Sequence, residues 1–147
     1  MGFARPGNKG HGVGFIDLNE DGGLEVFAQL GGNYPGDHAY NACYKNLKAK
    51  GNHWLELDLR GVKSNRLAIG AQVTVKAGGV LAYREVKGGE GFGATSAYRQ
   101  HFGLGGNAKI DSVEVRWPSG AVHRFADVPA DRVVALKEDE SAWRLVK

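Results

Sequence analysis

The sequence predicts a mostly β protein, whose C-terminal two thirds form an antiparallel β-sandwich or a barrel-like domain. Three observations support this fold class. Apolar and polar residues alternate in several short runs, which is the period of a half-buried strand. The runs recur at roughly 8–12-residue intervals, as in sandwiches and barrels. Glycine contributes 23 of 147 residues, about twice its usual share of roughly 7%, and much of it lies between the runs, where tight turns are needed.

The N-terminal part predicts one β-hairpin followed by a long connection. The strands "VGFIDL" (13–18) and "LEVFAQL" (24–30) flank a loop rich in Asp, Asn and Gly. The connection covers residues 31–52, and its middle, "DHAYNACYKNLKA" (37–49), predicts one or two helical turns. Cys43 is the single cysteine, so no intrachain disulfide can form; we expect it to be a small buried apolar residue, with an intermolecular bridge or a reactive thiol as the alternatives.

From His53 onward the alternation becomes regular. In "HWLELDL" (53–59) the leucines share one side of the strand, and Trp54, Glu56 and Asp58 share the other. Gly78–Gly79 predicts a two-residue hairpin turn. The remaining strand candidates are residues 71–77, 80–86, 112–117, 121–126, 132–136 and 142–146. We therefore divide the chain into a hairpin unit with its connection (1–51) and a β domain (52–147).

Composition and charge argue against some classes of partner. The formal charge is +3 without a long basic run, so nucleic-acid binding is not predicted. No apolar stretch reaches the roughly 18–20 residues that a membrane span requires. The N-terminus has no apolar signal core, so the protein either stays in the cytoplasm or its leader lies outside this sequence.

The loop between the first two strands has the spacing of a calcium site. Three oxygen-bearing side chains occupy alternate positions, Gly22 sits sixth, where the chain must bend sharply, and a glutamate sits ninth. The expected ligands are Asp17, Asn19, Asp21, the carbonyl of Gly23, and Glu25. Position 12 is Ala28, so the bidentate glutamate of a helix–loop–helix site is missing. A polar turn without an ion, or with a different ion, is the alternative.

Several quoted stretches resemble known families. "GVGFIDLNEDGGLEVF" resembles an FG-GAP/VCBS repeat, the calcium-loop blade of integrin-type propellers. "NHWLELDLRGVKSNRLAIGAQVTV", "REVKGGEGFGATSAYRQHFGLG" and "SVEVRWPSGAVHRFADVPADRVVALKE" are similar to the ASPIC/UnbV domain, so the resemblance covers about residues 10–139. It implies a calcium-binding, adhesion-like or matrix-like role in a secreted or periplasmic protein, and it implies no reaction.

Two departures from the repeat pattern matter. Family loops usually carry aspartate at the places of Gly23 and Glu25, which implies a low calcium affinity here. Only one repeat is present, whereas a propeller needs about four or more blades. The resemblance therefore implies that the hairpin packs on its own C-terminal domain or on another chain.

Two other motifs, a glycine-rich stretch and a histidine, are weaker indications of a phosphate-binding or a catalytic site. The glycines of "GGEGFG" (88–93) predict a turn or a bulge, because no helix N-terminus follows to receive a phosphate. His101 in "RQHFGLG" is a candidate for an active-site cleft, with Ser96, Asp111 and Glu90 as possible partners. No spacing selects among these three, and the other histidines lack metal-site spacing.

A polar and aromatic face is a further possibility for carbohydrate or peptide binding. Its candidate members are Asn65, Arg66, Arg84, Arg99 and Arg116, with Tyr83, Tyr98 and Trp117. The sequence as a whole favours a non-enzymatic, calcium-stabilised binding or adhesion-like module that recognises a protein or a carbohydrate. The alternatives are an enzyme or enzyme accessory unit with a cleft near His101, and a unit that self-assembles into homo-oligomers through exposed strand edges.

Overall fold

The computed structural model describes residues 9–31, 36, 40–47 and 51–146. The chain divides into two compact units. The first contains residues 1–50 and 88–97, and the second contains residues 51–87 and 98–147. The described residues contain strands and turns but no helix, and thus no helix long and apolar enough to cross a membrane.

The first unit is a three-stranded antiparallel sheet. Its strands are β1 (Lys9–Ile16), β2 (Glu25–Gly31) and β3 (Ala42–Tyr44), with β2 in the centre. β1 and β2 confirm the predicted hairpin. The helical turns predicted for 37–49 are wrong at 42–44, because pairing with β2 outweighs a weak local helix preference. Residues 37–39 and 48–49 lie outside the described residues.

The predicted burial of Cys43 is also wrong. Cys43 pairs with Phe27 across the β2–β3 ladder, and both side chains are exposed. Segment 88–97, which connects strands of the second unit, lies against β1. A Cβ at Gly12 would be 2.9 Å from Cβ of Ala94, so glycine is needed there for the close approach. Glu90 N–H bonds to the Ala94 carbonyl, which confirms a turn at the "GGEGFG" glycines.

The second unit contains two four-stranded sheets. In chain order its strands are β4 (His53–Arg60), β5 (Gln72–Ala77), β6 (Val80–Glu85), β7 (Gln100–Gly105), β8 (Ser112–Arg116), β9 (Val122–Phe125), β10 (Arg132–Lys137) and β11 (Arg144–Leu145). One sheet has the order β11-β10-β4-β7, and the other has the order β6-β5-β8-β9. The mostly β, sandwich-like prediction is confirmed, and neither sheet closes into a barrel.

Alternation along the strands builds the core of the second unit. β4 contributes its leucines, and both β5 and β8 contribute alternating valines. The large side chains with no more than 1% exposure are Leu55, Leu57, Val73, Val75, Val86, Val113, Val115, Trp117, Val134 and Leu136. All buried apolar side chains among the described residues belong to this unit.

Two features of the sheets differ from the prediction. β10 runs parallel to β4, so that sheet is mixed; the strands between β4 and β10 supply the long crossover that parallel pairing requires. β7 was not among the strand candidates because only two apolar residues, Phe102 and Leu104, alternate with its glycines, and glycine is unfavourable in strands. Pairing with β4 nevertheless places Phe102 opposite Leu55, and both are buried.

Candidate functional site

The loop between β1 and β2 closes around the carboxylate of Asp17. Its Oδ1 accepts the Asp21 N–H at 3.1 Å, and its Oδ2 accepts the Gly22 N–H at 2.8 Å. Gly22 has φ of 85°, a conformation that glycine adopts without strain. The sharp bend predicted at the sixth position is therefore present.

Asn19 and Asp21 continue the same hydrogen-bonded cluster. Asn19 Nδ2 donates to Asp21 Oδ2 at 2.8 Å, and Asn19 Oδ1 accepts the Asp21 N–H at 3.3 Å. Asp21 Oδ1 accepts the Gly23 N–H at 3.0 Å. The structure thus brings together Asp17, Asn19 and Asp21, three of the five predicted ligand residues, and ties the fourth, Gly23, to them through its N–H.

Glu25 occupies a different environment from the other predicted ligands. It is 3% exposed and pairs with Ile16 where the two strands enter the loop. Its Oε2 accepts the Leu18 N–H at 3.1 Å, and its Oε1 accepts the Asn46 N–H at 3.4 Å. Because both oxygens bond to main-chain donors, Glu25 links the loop to the segment after β3.

The loop presents oxygen atoms of the kind that a hard cation binds. Among residues 9–31, 36, 40–47 and 51–146, no three Asp, Glu, His or Cys side chains form a group that could hold a metal ion. The loop itself offers two carboxylates, from Asp17 and Asp21, and one amide oxygen, from Asn19. This donor set has the ligand chemistry of Ca²⁺, which binds carboxylate, amide and carbonyl oxygens and completes its shell with water.

A second polar centre, which sequence reasoning missed, lies in the second unit. Glu138 follows β10 and is 5% exposed. Its Oε2 accepts the N–H groups of Val62 and Ser64 at 2.6 and 2.7 Å. Its Oε1 accepts the hydroxyls of Ser64 and Ser119 at 2.7 and 2.5 Å. Burial alone raises the pKa of this carboxyl, but the bonds from Ser119, Ser64 and Val62 outweigh it and lower the pKa to about 2.

The loop that Glu138 holds is shaped by Asn65. Asn65 Oδ1 accepts the Ile69 N–H at 2.9 Å, and its Nδ2 donates to the Ile69 carbonyl at 2.8 Å. A Cβ at Gly61 would clash with the Asn65 carbonyl oxygen. Ser64 Oγ also accepts the Ser119 N–H at 3.0 Å. The "SNR" and "WPSG" stretches therefore meet at one carboxylate.

The Glu138 carboxylate and its hydrogen-bond donors lie inside the part of the chain that matches a known protein family. Residues 61–142 match the family model described as ASPIC and UnbV. The chain belongs to the ASPIC and UnbV family. The match includes Ser64, Ser119 and Glu138, so the hydrogen-bonded centre of this ASPIC/UnbV domain lies within it. A search of curated proteins found no match.

The domain's "WPSG" stretch forms a turn, and one predicted binding residue, Trp117, does not lie on the surface. The Gly120 N–H bonds to the Trp117 carbonyl at 2.9 Å, which closes a four-residue turn. Trp117 is 1% exposed, so its ring belongs to the core and cannot contribute to a surface face.

Arg84, another member of the predicted polar face, joins the two sheets of the ASPIC/UnbV domain. Its Nε donates to the His101 carbonyl at 2.7 Å, and its guanidinium lies 5.9 Å from the centroid of the Phe102 ring. This contact places the charged group of β6 over β7. Arg84 thus has a structural role that the sequence did not indicate.

His101 lies on the outer face of β7. Its ring is nearly parallel to that of Trp54, with centroids 6.5 Å apart, and it pairs across the ladder with the buried Glu56. Arg99 Nη1 is 3.8 Å from Glu56 Oε2. The carboxylate opposite His101 is therefore Glu56, which was not among the predicted partners.

The hydrogen bonds that the structure shows for Ser96, Glu90 and Asp111, the predicted partners of His101, involve other residues. Ser96 and Glu90 belong to the first unit, where Ser96 Oγ accepts the Phe15 N–H at 3.4 Å. Asp111 donates its N–H to the Lys76 carbonyl at 2.8 Å. The groove described for the second unit is lined by Gly103 and Leu104 but not by His101. An enzymatic role for His101 stays a prediction.

Proposed function

We propose that this ASPIC/UnbV protein is a non-enzymatic binding module whose N-terminal hairpin is stabilised by Ca²⁺. The observation that carries the proposal is the gathering of the Asp17, Asn19 and Asp21 side chains in one loop that bends at Gly22. The resemblance of "GVGFIDLNEDGGLEVF" to an FG-GAP/VCBS repeat supports the same chemistry. Asp17, Asn19 and Asp21 are the principal ligands, with the Gly23 carbonyl and water as further oxygens.

The affinity follows from the donor set. Glu25 is 3% exposed and belongs to β2, whereas Asp17 and Asp21 lie in the loop itself, so we count two carboxylates for the ion instead of three. Few charged ligands give weak sites, and we expect a dissociation constant of about 10⁻⁴–10⁻³ M, as in extracellular calcium modules. A site of this affinity fills where calcium is millimolar, which fits a secreted or periplasmic, adhesion-like protein that recognises a protein or a carbohydrate.

The composition of the first unit supports a stabilising ion. None of its described large apolar side chains is buried; Val13, Phe15 and Phe27, for example, are exposed. Its single cysteine excludes an internal disulfide. Small units without an apolar core usually depend on a metal, a disulfide or a partner. A calcium ion would offset the repulsion between Asp17 and Asp21 and rigidify the loop.

Thermal melting in excess Ca²⁺ and in excess EDTA tests the proposal. By linkage, an ion at 100 times its dissociation constant adds about 2.7 kcal/mol to the stability of the unit that binds it. We expect a higher melting temperature of the first unit in Ca²⁺, a smaller increase in Mg²⁺, and loss of the difference in Asp21→Asn.

Glu20→Gln is the matched control for this experiment. It removes one charge from the same loop at a residue outside the expected ligand set, and it should keep the calcium effect. Equal melting temperatures of the native protein in Ca²⁺ and EDTA, after demonstrated loading, would contradict the proposal.

A further inference from the structure

The edge strand β6 carries an apolar surface without the usual protection. In the described part of the chain, β6 pairs with β5 alone. Val80, Leu81 and Tyr83 are 62%, 67% and 58% exposed. Natural edge strands usually avoid association through charges, proline or bulges. Residues 80–83 include no charged residue or proline, the ladder with β5 is regular, and charges enter the strand only at its end, with Arg84 and Glu85.

The inner face beside the same edge is incompletely filled. Val80 pairs with Ala77, and Ala82 pairs with Val75, so both side chains point toward the opposite sheet. They border a groove of about 290 Å³. Its lining residues are Val75, Ala77, Val80, Ala82, Gly103, Leu104, Gly105 and Asn107. Side chains added along the β6 edge, from small Ala82 and the aliphatic part of Arg84 of a second strand, would cover part of this surface.

The hydrogen-bonding pattern of the hairpin shows which main-chain groups are free. The two-residue turn Gly78–Gly79 has positive φ at both positions, so Ala77 and Val80 form the hydrogen-bonded pair that closes it. Alternate residues of β6 then bond to β5. The N–H and carbonyl groups of Leu81, Tyr83 and Glu85 point to the open edge.

We propose that β6 pairs antiparallel with β6 of a second copy of this chain, across a two-fold axis at Ala82. In this register Leu81 of each copy lies opposite Tyr83 of the other, and these are residues whose main-chain groups face the open edge. The pairing joins two four-stranded sheets into one continuous sheet.

The sequence of β6 favours itself as the partner. Opposite residues in an antiparallel pair share a face, so the outer residues Leu81 and Tyr83 meet as two aliphatic–aromatic pairs, which are favourable cross-strand combinations. The inner residue Ala82 meets its own copy at the axis, where its small side chain permits close approach. A two-fold contact requires such self-complementarity.

Light scattering of the full chain over a concentration series tests the dimer. We expect the weight-average mass to rise from 15.8 kDa toward twice that value, equally in Ca²⁺ and in EDTA, because β6 belongs to the second unit. Leu81→Lys should weaken dimerisation by roughly tenfold or more. Val62→Lys, a matched change at an exposed loop residue, should not weaken it.

Circular dichroism establishes that each variant is folded, and Tyr83→Glu replaces Leu81→Lys if the latter fails to fold. A chain that stays monomeric at all concentrations overturns the proposal, even if its β6 edge binds an extended peptide. A dimer that is unaffected by both edge substitutions overturns it as well.

Oxidative cross-linking tests the register. In a Cys43→Ser background, Ala82→Cys places two thiols across a non-hydrogen-bonded pair, where Cα atoms are about 4.5 Å apart, within the range that a disulfide bridges. Leu81→Cys is the control, because its opposite residue is Tyr83. We expect disulfide-linked dimer from Ala82→Cys alone. Dimer from Leu81→Cys, or from neither variant, overturns the assigned register.

Discussion

The hydroxyl of Ser119 donates a hydrogen bond of 2.5 Å to Oε1 of Glu138. The bond connects the turn after β8 to the end of β10, and Ser64 brings the loop after β4 to the same carboxylate. A buried carboxylate is costly unless its lone pairs are satisfied, and here four donors satisfy them. Glu138 is thus an anchor for three loops of the domain.

Substitution of Glu138 tests this role through the pH dependence of stability. The pKa in the folded domain is about 2, below the ordinary value of 4.5. The contribution of Glu138 is therefore fully present above about pH 4.5 and is lost as the pH falls toward 2. Glu138→Gln should cost about 2–3 kcal/mol at neutral pH, because Gln replaces an acceptor with a donor that faces N–H groups.

Denaturant unfolding of the native protein and Glu138→Gln between pH 2 and pH 7 measures this effect. The difference between the two proteins should shrink as the pH falls through that interval. Glu140→Gln is the control, because Glu140 pairs with Lys137 and Arg144 at a more exposed position and should change stability little. A pH-independent difference would show that Glu138 does not act through its charge.

Substitution of Gly61 tests the packing of the loop that Glu138 anchors. Gly61→Ala would place a Cβ in collision with the Asn65 carbonyl oxygen, so the loop must shift and the protein should lose about 2–3 kcal/mol of stability. Gly103→Ala is the matched control; nothing lies within 4 Å of its added Cβ, and it should be neutral or mildly stabilising. Equal effects in thermal melts would contradict the close approach at Gly61.

Substitution of Glu25 distinguishes a structural role of this residue from a metal-binding role. Because its oxygens bond to the N–H groups of Leu18 and Asn46, Glu25→Gln should weaken the first unit by about 1–3 kcal/mol even in EDTA. Asp21→Asn should matter mainly when Ca²⁺ is present. Hydrogen exchange at the Leu18 and Asn46 amides measures the first effect. Exchange that Glu25→Gln accelerates only in Ca²⁺ would instead identify Glu25 as a ligand.

Local sequence patterns predicted the strands and turns that are determined by residues close together in the chain. Alternation placed Leu55 and Leu57 in the core, and paired glycines placed the turn at Gly78–Gly79. Alternation did not reveal β7, because glycine has no side chain to mark a face. It did not reveal β3 either, because a three-residue strand forms through its partner β2.

The two polar clusters, in the β1–β2 loop and around Glu138, show the same limit of local sequence patterns. The spacing of Asp17, Asn19 and Asp21 is a local feature, and hydrogen bonds join the three residues in one loop. Glu138 and Ser64 are 74 residues apart, so no local spacing indicates that they meet. The location of "SNR" and "WPSG" in a family domain was the available signal, and it did not identify the carboxylate that joins them.

Direct measurement of calcium binding to the β1–β2 loop tests the central proposal most directly. In an NMR titration of the full chain with Ca²⁺, we expect saturable shifts of the Gly22 and Gly23 amides, with a dissociation constant of about 10⁻⁴–10⁻³ M. The shifts should be preserved in Glu20→Gln and lost in Asp17→Ala. Amide resonances of this loop that stay unmoved at millimolar Ca²⁺ would contradict the account.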